Sequence, residues 1–249
     1  MTAEHRANGG APATRAALAA DFAHVDVWIF DLDNTLYPPE ARLFDQIERR
    51  MTAYVERLLG VEPAEADRLR AHYWREHGTT LAGLMAEHGI DPVAYLDEVH
   101  AIDMGALTPD PDLAAAIRAL PGQKIVHTNA DAAYAGRVLA HRGLGVFDAI
   151  YGIGEVGYHP KPDPRAFAAV LEAHGIDPAR AAMFEDDPRN LEVPFSLGMR
   201  TVLVGPGRHG PDPLAADHRH GDHVLWRTAA LGDFVAALAA ALPGVAMSR

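Results

Sequence analysis

The sequence has 249 residues, 49% hydrophobic and 22% charged, with a formal net charge of −12, 14 histidines and no cysteine. The negative charge repels a phosphate backbone and argues against a polymeric nucleic acid partner. The lack of cysteine excludes disulfides, a thiolate nucleophile and cysteine-ligated zinc, and no apolar run approaches the ~20 residues that span a bilayer.

In chain order, residues 1 to about 20 lack the continuous apolar segment of a signal peptide and read as a disordered or weakly helical tail. A cytoplasmic protein with no membrane partner is the expectation. The first strand signal is Val25 to Phe30. Roughly 90 residues then pass before the next clear strand, far more than a crossover helix needs. This interval reads as helices. Leu43, Phe44, Ile47, Met51, Tyr54, Val55, Leu58 and Leu59 form a stripe at helical spacing, and Gly60 stops it. Further helical stretches cover 63–77, 80–88 and 92–102. A small helical domain over 39–106, inserted into a core made of 21–38 and 107–249, is therefore expected.

Beyond the insert, β-prone runs at 124–128, 181–184 and 201–204, with weaker ones at 147–151 and 223–226, alternate with helical patterns at 113–120, 132–142, 165–174, 191–197 and 229–242. Such alternation predicts an α/β fold with a doubly wound, Rossmann-like parallel sheet. Asp-Pro recurs at 91, 110, 163, 177, 187 and 212, mostly before helical patterns, where Asp caps free amides and Pro suits the first turn.

Four segments end a predicted strand or open the loop after one, and in a parallel sheet such loops gather at one edge. The first carries Asp31 and Asp33 after an apolar strand. Two carboxylates about 4 Å apart repel by ~4 kcal/mol at an effective dielectric near 20, and a cation removes that repulsion. The second carries Thr128 and Asn129, a hydroxyl and an amide able to donate to a phosphate oxygen or to cap a helix. The third is Lys161, a cation beside the rigid start of a helix. The fourth is Glu185-Asp186-Asp187, three acids suited to a hard cation, with Asp187 also placed to cap before Pro188. The His-rich run Asp217 to His223 has no apolar frame and reads as a solvated loop.

The order of these segments resembles the haloacid dehalogenase superfamily, whose motifs are DxDxT, a Ser or Thr, a Lys and a terminal acidic pair. The resemblance covers about 25–240. Asp31-Leu32-Asp33-Asn34-Thr35-Leu36-Tyr37 and the stretch Tyr73 to Leu84 look like the pyrimidine 5′-nucleotidase subgroup. By that resemblance the insert is a cap, and the chain is a Mg2+-dependent phosphohydrolase for a small phosphate monoester, a nucleoside 5′-monophosphate in particular. Asp31 would be the nucleophile and Asp33 the general acid and base. Thr128, Asn129 and Lys161 would bind phosphate. Asp31, Asp33 through its carbonyl, and Asp186 would hold the metal, supported by Glu185 or Asp187. The ring of Tyr37 would form a wall for a base or pack the hinge. Arg42, Arg49, His72, Arg75 and His77 are the insert's candidates for meeting the leaving group. Dehalogenases of the superfamily usually lack the second Asp, so Asp33 favours phosphate chemistry. A sugar-phosphate phosphatase, a phosphomutase and an inactive phospho-ligand-binding regulator are the rival readings, and the oligomeric state is left open.

Overall fold

In a computed structural model of the chain, the described residues are 14–205 and 221–242. Six strands, β1 (Val27–Phe30), β2 (Gln123–His127), β3 (Ala149–Tyr151), β4 (Ala181–Glu185), β5 (Arg200–Val204) and β6 (Trp226–Thr228), form one sheet in the order β3-β2-β1-β4-β5-β6. Every pairing is parallel. β1 is central and buried throughout, as its unbroken apolar run Val-Trp-Ile-Phe requires. Alternate side chains serve opposite faces: Trp28 and Phe30 join one buried cluster, Val27 and Ile29 the other.

Helices α1 (Arg15–Phe22), α6 (Pro111–Ala119), α7 (Ala132–Arg142) and α9 (Leu231–Ala241) contribute to the first cluster, and α8 (Pro164–His174) to the second. Between β1 and α6 lie α2 (Leu43–Leu59), α3 (Pro63–His77), α4 (Thr80–His88) and α5 (Pro92–Val99), the helices expected of the insert. They pack on one another, α2 on α3 and α5, α3 on α4. A Cβ added at Gly83 would come within 2.5 Å of the Tyr73 side chain, so α3 and α4 approach only because that residue is Gly. Among the described residues no helix is long and apolar enough to cross a membrane.

The caps are as the Asp-Pro repeats predict. Asp91, Asp110, Asp163, Asp177 and Asp187 each accept a backbone N–H at the start of a helix or 3-10 turn with Pro in its first positions. Asp212 lies outside the described residues.

The tail expectation needs correction where it can be compared. From Arg15 the chain is helix, capped by Thr14, with Leu18 and Phe22 fully buried. Phe22 stacks on Trp28 and meets Trp226 and Phe234. Two apolar residues four apart in an alanine-rich stretch are a faint periodic signal, and burial against aromatic partners from distant strands supplies the stability that propensity does not. Residues 1–13 lie outside the described residues. α5 ends at Val99, short of the expected 102, and the last strand lies at 226–228 rather than 223–226.

Candidate active site

Motif one leaves β1 directly. The Asp31 amide donates to the Phe184 carbonyl at 2.9 Å, carrying the β1–β4 ladder one residue further, and the chain then turns back with Leu36 N–H on Leu32 O. Asn34 holds this turn at φ 59°, a left-handed conformation that Asn and Gly enter most readily. The turn returns Asp33 beside Asp31 at the crevice where strand order reverses between β1 and β4.

Asp33 Oδ1 accepts two phenol hydrogen bonds, from Tyr37 at 2.5 Å and from Tyr134 at 2.9 Å. Tyr37 is 1% exposed and is not on the cavity wall, so of the two roles read for its ring it takes the packing one, and its hydroxyl fixes Asp33. Burial, with Asp33 adding to it, holds both phenols protonated well above the usual tyrosine range. They therefore remain donors at any working pH. Replacing Tyr134 by Phe is expected to cost about 0.5–1.5 kcal/mol of stability. It should also lower turnover by loosening Asp33 while KM stays within a few-fold; chemical denaturation and steady-state kinetics on one preparation check both.

Lys161 is 1% exposed. Its Nζ donates to Asp31 Oδ1 at 2.7 Å, Glu185 Oε1 at 2.9 Å and the His127 carbonyl at 2.8 Å. Burial works to lower the lysine's pKa, but Asp31 and Glu185 outweigh it and hold the ammonium charged. The two acids diverge. Burial, reinforced by Glu185, pushes the Asp31 carboxyl well up despite Lys161. Glu185 is equally buried, but Lys161 and the backbone amides that its Oε2 accepts, from Asp186 at 2.6 Å and Asp187 at 3.0 Å, bring it below its ordinary value. Its Oε1 also accepts from Asn190 at 2.6 Å.

Asn129, expected on phosphate, lines the cavity beside Thr128 and also holds the Lys161 loop. Its Oδ1 accepts from the Lys161 amide at 2.8 Å and its Nδ2 donates to the Lys161 carbonyl at 3.2 Å. Through these two bonds Asn129 clamps the loop that carries Lys161. Thr128 is buried on the cavity wall, its hydroxyl oxygen accepting from the Ala130 amide at 3.1 Å. Asp187 caps the turn at Pro188 and pairs with Arg189 at 2.6 Å, as its alternative reading required.

Carboxylate oxygens of Asp31, Glu185 and Asp186 lie within 4.8 Å of one another, all three residues buried. An all-oxygen, acidic donor set of this kind fits a hard divalent cation. Asp33 and Asp187 are not in that side-chain group. Residues 217–220 of the His-rich run lie outside the described residues.

Above this cluster is a cavity of about 370 Å3, with Asp31, Asp33, Thr128 and Lys161 at one end and side chains of the insert at the other. Of the insert residues proposed from sequence, Arg75 alone lines it; Arg42 pairs with Asp45 and His77 with Glu87. The polar groups there that sequence reasoning missed are Glu48, Arg70, Tyr95 and His100. Arg70 is 8% exposed and bridges Glu48 and Asp67, each at 3.0 Å. Its neighbour on α3, Trp74, has the Arg189 guanidinium 3.7 Å above its ring, which joins the insert to the motif-four turn. A helical stripe drawn on apolar residues has no place for a buried Arg, so no local pattern flagged these.

The description haloacid dehalogenase-like hydrolase belongs to a family model that matches residues 25–194, more than half the chain. The chain belongs to this family. A second model, HAD-hydrolase-like, matches 159–231. Phosphate metabolism protein 8 of Saccharomyces cerevisiae is 27% identical over 197 residues, 71% of this chain and 60% of that protein. A phosphoserine phosphatase of Thermus thermophilus is 40% identical over 89 residues, 35% of this chain and 34% of its own length. The matches thus span less than two thirds of these relatives. Among solved structures, CbbY from Rhodobacter sphaeroides in complex with phosphate shares the fold at a TM-score of 0.58 and 18% identity, over 84% of this chain and 96% of that one.

Proposed function

We propose that this haloacid dehalogenase-like hydrolase is a magnesium-dependent phosphatase acting on small phosphate monoesters. The observation that carries the reading is the buried cluster of Asp31, Lys161, Glu185 and Asp186 beside Asp33 on the core side of the cavity. A relative named as a phosphatase supports phosphate chemistry.

Asp31 is the nucleophile: a carboxylate oxygen attacks phosphorus in line, and the bond to the leaving oxygen breaks. Asp33, held by its two tyrosines, gives that oxygen a proton and then takes one from the water that hydrolyses the aspartyl-phosphate. Lys161 and Thr128 hold phosphoryl oxygens, while Asn129 keeps Lys161 in place. Asp31, Asp186 and the Asp33 carbonyl would hold Mg2+, with Glu185 in support. The metal, when bound, neutralises charge on the phosphoryl group and the clustered acids. Residues 39–106 are the cap domain, closing over a core of 21–38 and 107–249, and the protein works in the cytoplasm.

The preferred substrates are nucleoside 5′-monophosphates, pyrimidine ones first. With Tyr37 packed in the hinge, support for this comes from the Tyr73 to Leu84 stretch, whose Trp74, Gly78, Thr79, Thr80 and Leu81 line the cavity. Size discrimination against one apolar group yields about 1–3 kcal/mol, so a preference of roughly tens to hundreds of fold is expected. The test is phosphate release from UMP, CMP, AMP, GMP, a hexose phosphate and an aryl phosphate under one magnesium condition. Excess chelator should abolish release and added magnesium restore it. Full activity in chelator would sink the mechanism; a purine nucleotide at the head of the ranking would reject the pyrimidine assignment, and a hexose phosphate there would reject the nucleotide preference as well, either leaving the phosphatase assignment standing.

A further inference from the structure

His100 is the C-cap of α5, at the end of the insert nearest the core. It is 4% exposed and lines the cavity. Two contacts fix its ring and a third holds its backbone. Nδ1 is hydrogen-bonded to Asp131 Oδ2. The ring lies flat on Tyr134, centroids 4.5 Å apart and planes 17° from parallel. Arg137 donates to the His100 carbonyl at 3.1 Å. Asp131 is itself immobilised as the N-cap of α7, its Oδ1 accepting from the Tyr134 amide at 2.6 Å. Its carboxyl is held below the ordinary range, burial being outweighed by His100 and by that amide.

Nε2 of this fixed ring makes no hydrogen bond among the described residues. Asp131 occupies Nδ1 and is not on the cavity wall, so Nε2 is the ring nitrogen left for the cavity that His100 lines. The contrast is His127, which is 1% exposed, absent from the cavity wall and packed edge-on against Phe167, a core ring with nothing to read. The placement of His100 is specific in another respect. The Tyr134 ring beneath it carries the hydroxyl that binds Asp33, so the imidazole lies on the side of the site where the leaving oxygen departs.

We propose that His100, held by Asp131, recognises a hydroxyl group of the leaving group, and so selects sugar- and nucleoside-type phosphate esters; this rests on the phosphatase reading above. A carboxylate accepts only, so the proton on Nδ1 belongs to the Asp131 bond, and Nε2 is left as an acceptor in the neutral ring or a donor in the imidazolium. A hydroxyl satisfies it in both states, donating to the first and accepting from the second. A carboxylate on the leaving group satisfies the second alone, and an unsubstituted aryl or alkyl group satisfies neither. His100 is thus a specificity-determining residue and Asp131 a positioning residue.

The experiment compares kcat/KM for a nucleoside 5′-monophosphate and its 2′,3′-dideoxy counterpart, in the wild type, His100→Ala and Asp131→Asn. The wild type should favour the hydroxylated ester by roughly tenfold to hundredfold, the range of one buried hydrogen bond. In His100→Ala this ratio should collapse to within about threefold, and in Asp131→Asn, where Asn still caps α7, it should fall part of the way. A merely structural role would lower both rates together and leave the ratio standing, which would overturn the proposal. So would equal rates on the two esters in the wild type. If His100→Ala fails to fold, Asp131→Asn and the wild-type ratio decide. Absence of phosphate release from every ester by the wild type would overturn the phosphatase reading, and this proposal with it.

Discussion

Asp31→Asn should abolish turnover, by roughly 10^4-fold or more, the scale on which loss of a nucleophile acts. No acid-stable, base-labile phosphoryl-enzyme should be trapped from it. The protein should nevertheless be as stable as the wild type or more so. Burial and Glu185 raise the Asp31 carboxyl above its ordinary value despite the Lys161 contact. A raised folded pKa means that stability is fully present below the ordinary aspartate value near 3.9 and declines as pH rises through the folded one, so toward neutral pH this carboxyl opposes folding. Asn removes that opposition, and Glu185 still pairs Lys161. Thermal midpoints measured in chelator across pH, with rapid-quench labelling, check both halves. Retained activity in Asp31→Asn would show the nucleophile misassigned.

Lys161→Met should cost about 3–5 kcal/mol, the scale for stranding a buried charge by deleting its partner, and should abolish activity as well. Lys161 holds two acids at once, Asp31 at 2.7 Å and Glu185 at 2.9 Å, with both ends of each pair nearly out of water. The substitution fills similar volume, so the loss reports charge rather than a cavity. It carries a pH signature. Glu185 is lowered because Lys161 and the backbone amides outweigh its burial. A lowered folded pKa contributes stability above the ordinary glutamate value near 4.3 that is lost as pH falls through the folded one. Lys161→Met should flatten that acid limb. Adding Glu185→Gln to Lys161→Met should recover stability, because it removes one of the stranded charges. Urea unfolding of the two single variants and the double variant closes the cycle; strict additivity would show that the pair is not coupled.

Much of this was legible in the chain itself, and for definite reasons. β1 reads as a strand because four buried apolar residues in a row have no other economical home, and the alternation that follows it forces a parallel sheet. The insert is legible because the Leu43 to Leu59 stripe has helical spacing and Gly60 takes φ 64° at its end. Asp31, Thr128 and Glu185 could be placed at one edge because a parallel sheet brings all its strand ends to the same side.

What those segments do to one another was decided only by tertiary structure. A lysine in a loop has the same local signature whether solvated or buried, and only the approach of chain 130 residues distant makes Lys161 the partner of Asp31. Asn129 reads locally as a phosphate donor, and only the loop 32 residues on makes it a clamp on Lys161 as well. Tyr37 reads equally as a pocket wall or as hinge packing, and the turn at Asn34, which sends its hydroxyl to Asp33, decides between them. His100 and Asp131 stand in no motif; they meet because the insert's last helix ends where α7 begins its first turn. Local sequence specifies elements through periodicity and caps, which are short-range effects. Pairing of polar groups depends on which surfaces the core brings together, and that information resides in the packing of apolar faces far from the groups themselves.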